Sequence, residues 1–250
     1  MKRIILLFYL SVVSTNAQTV GLTVHESSSL DDGFVLFASI GSTTTYLIDK
    51  CGKQVKSWPS GYRPGQSCYL LEDGSLLRTG NDNNTTFDAG GKGGVIQKID
   101  WNGNITWEYT ISSALECQHH DIKVLPNGNV LAIVWELKTY DEAIAKGRNP
   151  NLISTALWSE KIIEIQQTGL TNGTVVWEWH LWDHLVQDFD ATKLNFGEVN
   201  TNPQSINVNY AASQTEPDWI HLNSIDYNAQ LDQIVVSSHT FSEIWIIDHS

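Results

Sequence analysis

The sequence predicts an all-β chain, a β-propeller of four-stranded antiparallel blades. Three observations carry this reading: recurring apolar hairpins, a period of about 50 residues between equivalent turns, and tryptophans closing the strands. Three hairpins share one plan of strand, polar turn and strand: YLLEDGSLLRTG (69–80), IKVLPNGNVLAIV (122–134) and IDYNAQLDQIVVSS (225–238). The first two turn on Asp-Gly and Asn-Gly, the pairs that tight hairpins favour. A second hairpin follows each time, in GVIQKIDWNGNITWEY (94–109), KIIEIQQTGLTNGTVVWEW (161–179) and the shorter SEIWIIDHS (242–250). TTYLIDKCGKQVKSW (44–58) belongs to the same series.

Asp49 and Asp100 stand 51 residues apart and Gly74 and Gly128 stand 54 apart, whereas extra sequence stretches Gly103 to Gly173 to 70. Two hairpins per period make one blade. The run VLAIV (130–134) lacks alternation, as expected of a strand covered on both faces. Trp58, Trp107 and Trp177 close second hairpins, and packing between blades is the expected role, ahead of a sugar-stacking platform. Two insertions break the rhythm: LKTYDEAIAKGRN (137–149), with short helical character, and a polar, irregular stretch at 180–213. Loops on a rigid scaffold are where ligand contacts are built. The repeats start near Gly33 and amount to about three and a half blades, below the typical 4–8, so an incomplete propeller is expected.

Residues 1–17, MKRIILLFYLSVVSTNA, have a basic head, a short apolar stretch and a small-residue end, the pattern of a secretory signal cut after Ala17. Residues 18–250 then form the propeller domain of an exported protein, periplasmic or secreted. No segment is long and apolar enough for a membrane helix. The formal net charge of -13 repels nucleic acid and anionic lipid. An anionic substrate would therefore need a locally proton-donating pocket. Of three cysteines, Cys51 and Cys68 form the simplest disulfide by proximity in an oxidising compartment. Without a CxxC pair, a structural zinc site is not expected.

QHHDIKV (118–124) places two histidines before an apolar strand, and DWIHLNS (218–224) places His221 before another. The strand after it ends in VVSSH at His239. Histidines at equivalent blade positions would converge on a central channel. Because strand neighbours point to opposite faces, His119 and His120 should not share one site, and His119 reads as structural. HLWDH spaces His180 and His184 as metal ligands on a helix would be, but lacks the glutamate of HExxH. GGKGG (90–94) lacks the ending of a phosphate loop and reads as a flexible connection. Arg78 is a channel candidate by position alone, while His25 and His249 read as surface residues.

Together, QHHDIKVLPNGNVL, WEWHLWDHLVQDFD, EPDWIHLNSIDYNAQLDQIVVSSHTFSEIWIID and GKQVKSWPSGYRPGQSCYLLEDGSLLRTG resemble the aryl-sulfate sulfotransferase family of exported bacterial enzymes. The resemblance covers essentially the whole chain after the signal. It implies a six-bladed propeller that passes a sulfuryl group from an aryl sulfate to a phenol through a sulfo-histidine, with no nucleotide donor and no cofactor. His120 and His221 match channel histidines of the family, while His239 falls where many members carry arginine. Asp121 and Asn223 are candidates to orient groups beside them, although Asp121 is equally suited to holding a turn. The sulfated histidine of the family falls beyond Ser250, so this chain is expected to be an inactive N-terminal portion. The implied partners are small aryl sulfates and phenols; an open propeller also exposes two blade faces, so aggregation or a partner, a homodimer among the options, is expected. The rival readings are a non-enzymatic propeller that binds a ligand, and a quinone-dependent dehydrogenase-like propeller, for which no ligand set is visible.

Overall fold

The computed structural model describes residues 24–210 and 216–250. The signal expected at 1–17 lies outside the described residues, as does the end of the second insertion, at 211–215. Four antiparallel sheets follow one another along the chain. The first contains β1 (Phe34–Ala38), β2 (Thr44–Asp49) and β3 (Gln54–Pro59). The second contains β4 (Arg63–Leu70), β5 (Leu76–Asn81), β6 (Gly94–Ile99) and β7 (Ile105–Thr110), in that order. The third has the same meander, with β8 (Glu116–Val124), β9 (Val130–Thr139), β10 (Ala156–Gln167) and β11 (Gly173–His180). The fourth contains β14 (Leu222–Asn228), β15 (Gln233–Ser238) and β16 (Glu243–Asp248). Between the last two sheets, β12 (Leu185–Val186) and β13 (Ile206–Asn207) form a small parallel pair within the second insertion.

Each predicted hairpin is present. In the turn of PNGN, Gly128 adopts a φ of +85° and its N–H donates to the Leu125 carbonyl, a conformation that suits a residue without Cβ. The first insertion supplies α1 (Tyr140–Ala145), whose start is closed by a reciprocal capping box between Thr139 and Glu142.

The sheets pack through their first strands, β4 against β1 and β8 against both β4 and β14. Val130 to Val134 are all buried, because β9 is covered on both faces. Tryptophans link successive sheets by a repeated contact. Trp58 on β3 is fully buried and donates from Nε1 to the carbonyl of Asp100 in the β6–β7 turn, 3.0 Å away. Trp107 on β7 repeats this with Asn172 in the β10–β11 turn, at 3.2 Å. Each ring thus fills apolar space and satisfies its one polar atom on the next sheet.

Several expectations are corrected. The three cysteines are free thiols: Cys51 is exposed in the β2–β3 turn, whereas Cys68 on β4 packs against Leu47, Trp58, Leu76 and Ile99. Closeness in sequence places these two on different sheets, one in a turn and one on an inner strand. Cys117 is buried, and burial pushes its thiol up to about 12. Arg78 is not presented to a channel; it is buried, with its guanidinium donating to the carbonyls of Thr43 and Tyr62. His249 is not a surface residue, because its ring bridges Glu164 of β10 and Asp232 of the β14–β15 turn at 2.9 and 2.8 Å. No helix among the described residues is long and apolar enough to cross a membrane.

Trp107→Ala removes both the inter-sheet filling and the bond to Asn172. It is expected to destabilise the fold by about 3–5 kcal/mol, read as a lower midpoint in urea unfolding.

Candidate functional site

The site begins with a backbone irregularity. Along β8, His119, His120 and Asp121 stand opposite Ile133 alone, since Gln118 pairs with Val134 and Ile122 with Ala132. His120 sits in this bulge with a φ of +49°, rare for a residue with a side chain. The same device recurs in the neighbouring sheets. Gln66 (φ +91°) lies where β4 slips register between Pro64 and Cys68, and His221 (φ +54°) precedes a slip in β14 at Asn223. Three inner strands thus place a left-handed residue at comparable positions.

The bulge overturns the expectation that His119 and His120 face apart. Strand alternation fails there, and the two rings meet, Nδ1 to Nδ1, at 3.0 Å. His119 is fully buried, lies flat on Trp135 with ring centroids 3.8 Å apart, and bonds the Glu160 carboxyl on β10 through Nε2 at 2.8 Å. Glu160 is also fully buried and accepts from the Leu222 N–H at 3.0 Å. Trp135 Nε1 donates to Asp218, whose other oxygen holds His221 Nδ1 at 2.6 Å. The rings of His120 and His221 stand 4.6 Å apart, and those of His221 and His239 stand 5.2 Å apart. His239 is exposed, and its N–H donates to the His221 carbonyl.

Of the residues expected from sequence, the structure brings His120, His221 and His239 together. Asp121 faces other partners. Its carboxylate accepts from the Tyr69 hydroxyl and from the N–H groups of Ile122 and Ile225, joining β4, β8 and β14. Asn223 is exposed at the β14 slip and accepts from Ser237. His180 and His184 do not form a joint site: His180 bonds Glu136, while His184 stacks on Trp179. No group of three or more metal-ligating side chains is present among the described residues.

Three members of the cluster were not recognised as such in the sequence: Glu160, Asp218 and the GGKGG segment. That segment is not a loose connector. The Gly91 carbonyl accepts from the His120 N–H at 2.7 Å, and a Cβ on Gly91 would lie 1.9 Å from the His120 ring. Gln66 was legible in principle, since it and His120 each lie eight residues before a hairpin glycine, Gly74 and Gly128.

The electrostatics divide the cluster. Burial, then repulsion between rings, drives His120 down to about 3; burial does the same to His119. Burial and the charge of Asp218 push the Glu160 carboxyl well up. The His119 and Glu160 contact is therefore a neutral hydrogen bond rather than an ion pair. His221 is raised by its bond to Asp218, which favours imidazolium. The site can offer neutral imidazole nitrogens for proton transfer beside a histidine, His221, whose protonation is favoured by Asp218.

A family model described as arylsulfotransferase (ASST) matches residues 20–250. No curated protein matches the sequence. Among solved structures, a protein of unknown function from Bacteroides caccae is similar at 12% identity and a TM-score of 0.42, over 88% of this chain and 59% of that one. The hydrazine synthase of Kuenenia stuttgartiensis is similar at 12% identity and a TM-score of 0.47, over 86% and 49%. The chain thus spans less than two thirds of either structure.

The depressed imidazoles set the sign of a pH effect. Between 6.5, the ordinary value, and about 3, the unfolded chain protonates His120 while the folded chain refuses the proton, so stability falls as pH drops through this window. His119 adds to the fall below 4.5, where the unfolded form of Glu160 also holds its proton. The contribution of His221 runs the other way, full below 6.5 and lost above its raised value. Thermal unfolding from pH 6.5 to 3.5 should show the fall, and His120→Gln should flatten its upper part.

Proposed function

The chain belongs to the arylsulfotransferase family, and from that premise we propose that it serves sulfuryl transfer from an aryl sulfate to a phenol, with His120 and His221 as catalytic residues. The carrying observation is their convergence from two sheets, with rings 4.6 Å apart. In a sulfo-histidine route, an imidazole nitrogen attacks sulfur, the S–O bond to the aryl group breaks, and the phenolate leaves. An incoming phenol then attacks sulfur and releases the imidazole. His120 gives a proton to the leaving phenolate and takes one from the incoming phenol. The His221 imidazolium, held by Asp218, donates to the anionic oxygens in flight.

None of the clustered histidines is assigned as the nucleophile. Both nitrogens of His119 are engaged, Nδ1 of His120 is engaged, and the bond between His221 Nδ1 and Asp218 raises His221, which favours the form without a lone pair. His239 takes the supporting place where family members carry arginine. The four sheets, joined through their inner strands, fit successive blades of a six-bladed propeller. The expected signal at 1–17 supports an exported protein.

The rival reading, an exported propeller that only binds its ligand, predicts no turnover. The test is sulfuryl transfer from 4-nitrophenyl sulfate to phenol by the full-length protein, with ping-pong kinetics expected. His120→Ala and His221→Ala should each lower kcat by about 10²–10⁴-fold. Full activity in both variants would overturn the assignment.

A further inference from the structure

Glu160 and His119 lie behind His120 in an unbroken line of hydrogen bonds. Glu160 Oε1 accepts from the Leu222 N–H at 3.0 Å, Glu160 Oε2 meets His119 Nε2 at 2.8 Å, and His119 Nδ1 meets His120 Nδ1 at 3.0 Å. Every ring nitrogen in the line is engaged except His120 Nε2. Each of the two imidazole contacts needs one donor and one acceptor, so the proton positions are linked from end to end. Resting on the sulfuryl-transfer reading, we propose that Glu160 and His119 are positioning residues of a proton relay that switches His120 Nε2 between donor and acceptor.

With Glu160 protonated, its O–H donates to His119 Nε2, His119 Nδ1–H donates to His120 Nδ1, and neutral His120 carries its proton on Nε2. A departing phenolate takes that proton. His120 Nδ1 then takes the proton of His119 Nδ1, and His119 Nε2 takes the proton of Glu160, leaving a carboxylate and two neutral imidazoles. An incoming phenol drives the same three transfers in reverse as it attacks sulfur. The relay loses one proton in the first half-reaction and regains it in the second.

The surroundings suit this cycle. Burial favours protonated Glu160 and neutral His119 and His120 at rest. Asp218, His221 and Glu136 act on Glu160, and Asp218, His221 and His239 act on His120. Of these, the His221 imidazolium and the Leu222 N–H stabilise the carboxylate, whereas Asp218 and Glu136 oppose it. The charge separation therefore stays transient. Engagement of both nitrogens on His119 satisfies a fully buried imidazole beside the partly buried His120.

Glu160→Gln separates a relay from a structural support. The amide can donate to His119 Nε2, which preserves the resting hydrogen bonds, but it cannot give up and regain a proton. In the full-length protein, kcat for transfer between 4-nitrophenyl sulfate and phenol should fall about 10²-fold with KM little changed, and the pH dependence of kcat should flatten. Independently of turnover, ring-nitrogen NMR of the unmodified protein should show the proton of His119 on Nδ1 and that of His120 on Nε2 at neutral pH. Both should move together to the opposite nitrogen as pH rises, and Glu160→Gln should abolish that movement. A wild-type kcat and pH profile in folded Glu160→Gln, or His119 protonated on Nε2 at neutral pH, would overturn the relay. If the full-length protein transfers no sulfuryl group, the functional reading fails, and the NMR titration still decides whether the protons are linked.

Discussion

The bulge in β8 is the constraint from which the site follows. A regular strand would send His119 and His120 to opposite faces of the sheet. The left-handed turn at His120, typically unfavourable by about 1–3 kcal/mol for such a residue, instead lays the two rings edge to face and in hydrogen-bond contact. It is held in place by Gly91, which accepts from the His120 N–H and leaves no room for a side chain beneath the ring. The same device at Gln66 and His221 shows that the repeat carries a site geometry as well as a hairpin plan.

Burial then assigns the roles. His119 and Glu160 have no solvent exposure, so each is held in its uncharged form, and the contact between them is a hydrogen bond that can run in either direction. Asp218 and His221 are less deeply buried, and their contact at 2.6 Å raises His221. Groups that burial keeps neutral thus stand beside a histidine whose carboxylate partner favours its protonation. Asp218 also ties the two halves, receiving Trp135 from the third sheet and His221 from the fourth.

Much of the fold was legible because it depends on local rules. Turn glycines, apolar runs and the tryptophans at Trp58 and Trp107 each state their role within a few residues, and the hairpins lie where their sequences placed them. His120 and His221 were visible because the repeat marks their positions. The direction of the His119 ring was misjudged by a rule that holds for regular strands and fails at a bulge. Glu160, between Ser159 and the run KIIEI (161–165), gave no sign of its partner. It meets His119 across 41 residues, and Asp218 meets Trp135 across 83.

The amino-acid sequence by itself determined the strand and turn pattern, the succession of sheets and the identity of the repeated histidines, since these follow from periodicity and turn chemistry. The tertiary structure alone decided which polar groups are sealed from water and which nitrogens face one another. Protonation depends on burial and on partners distant in the chain, and those exist only once the sheets have packed.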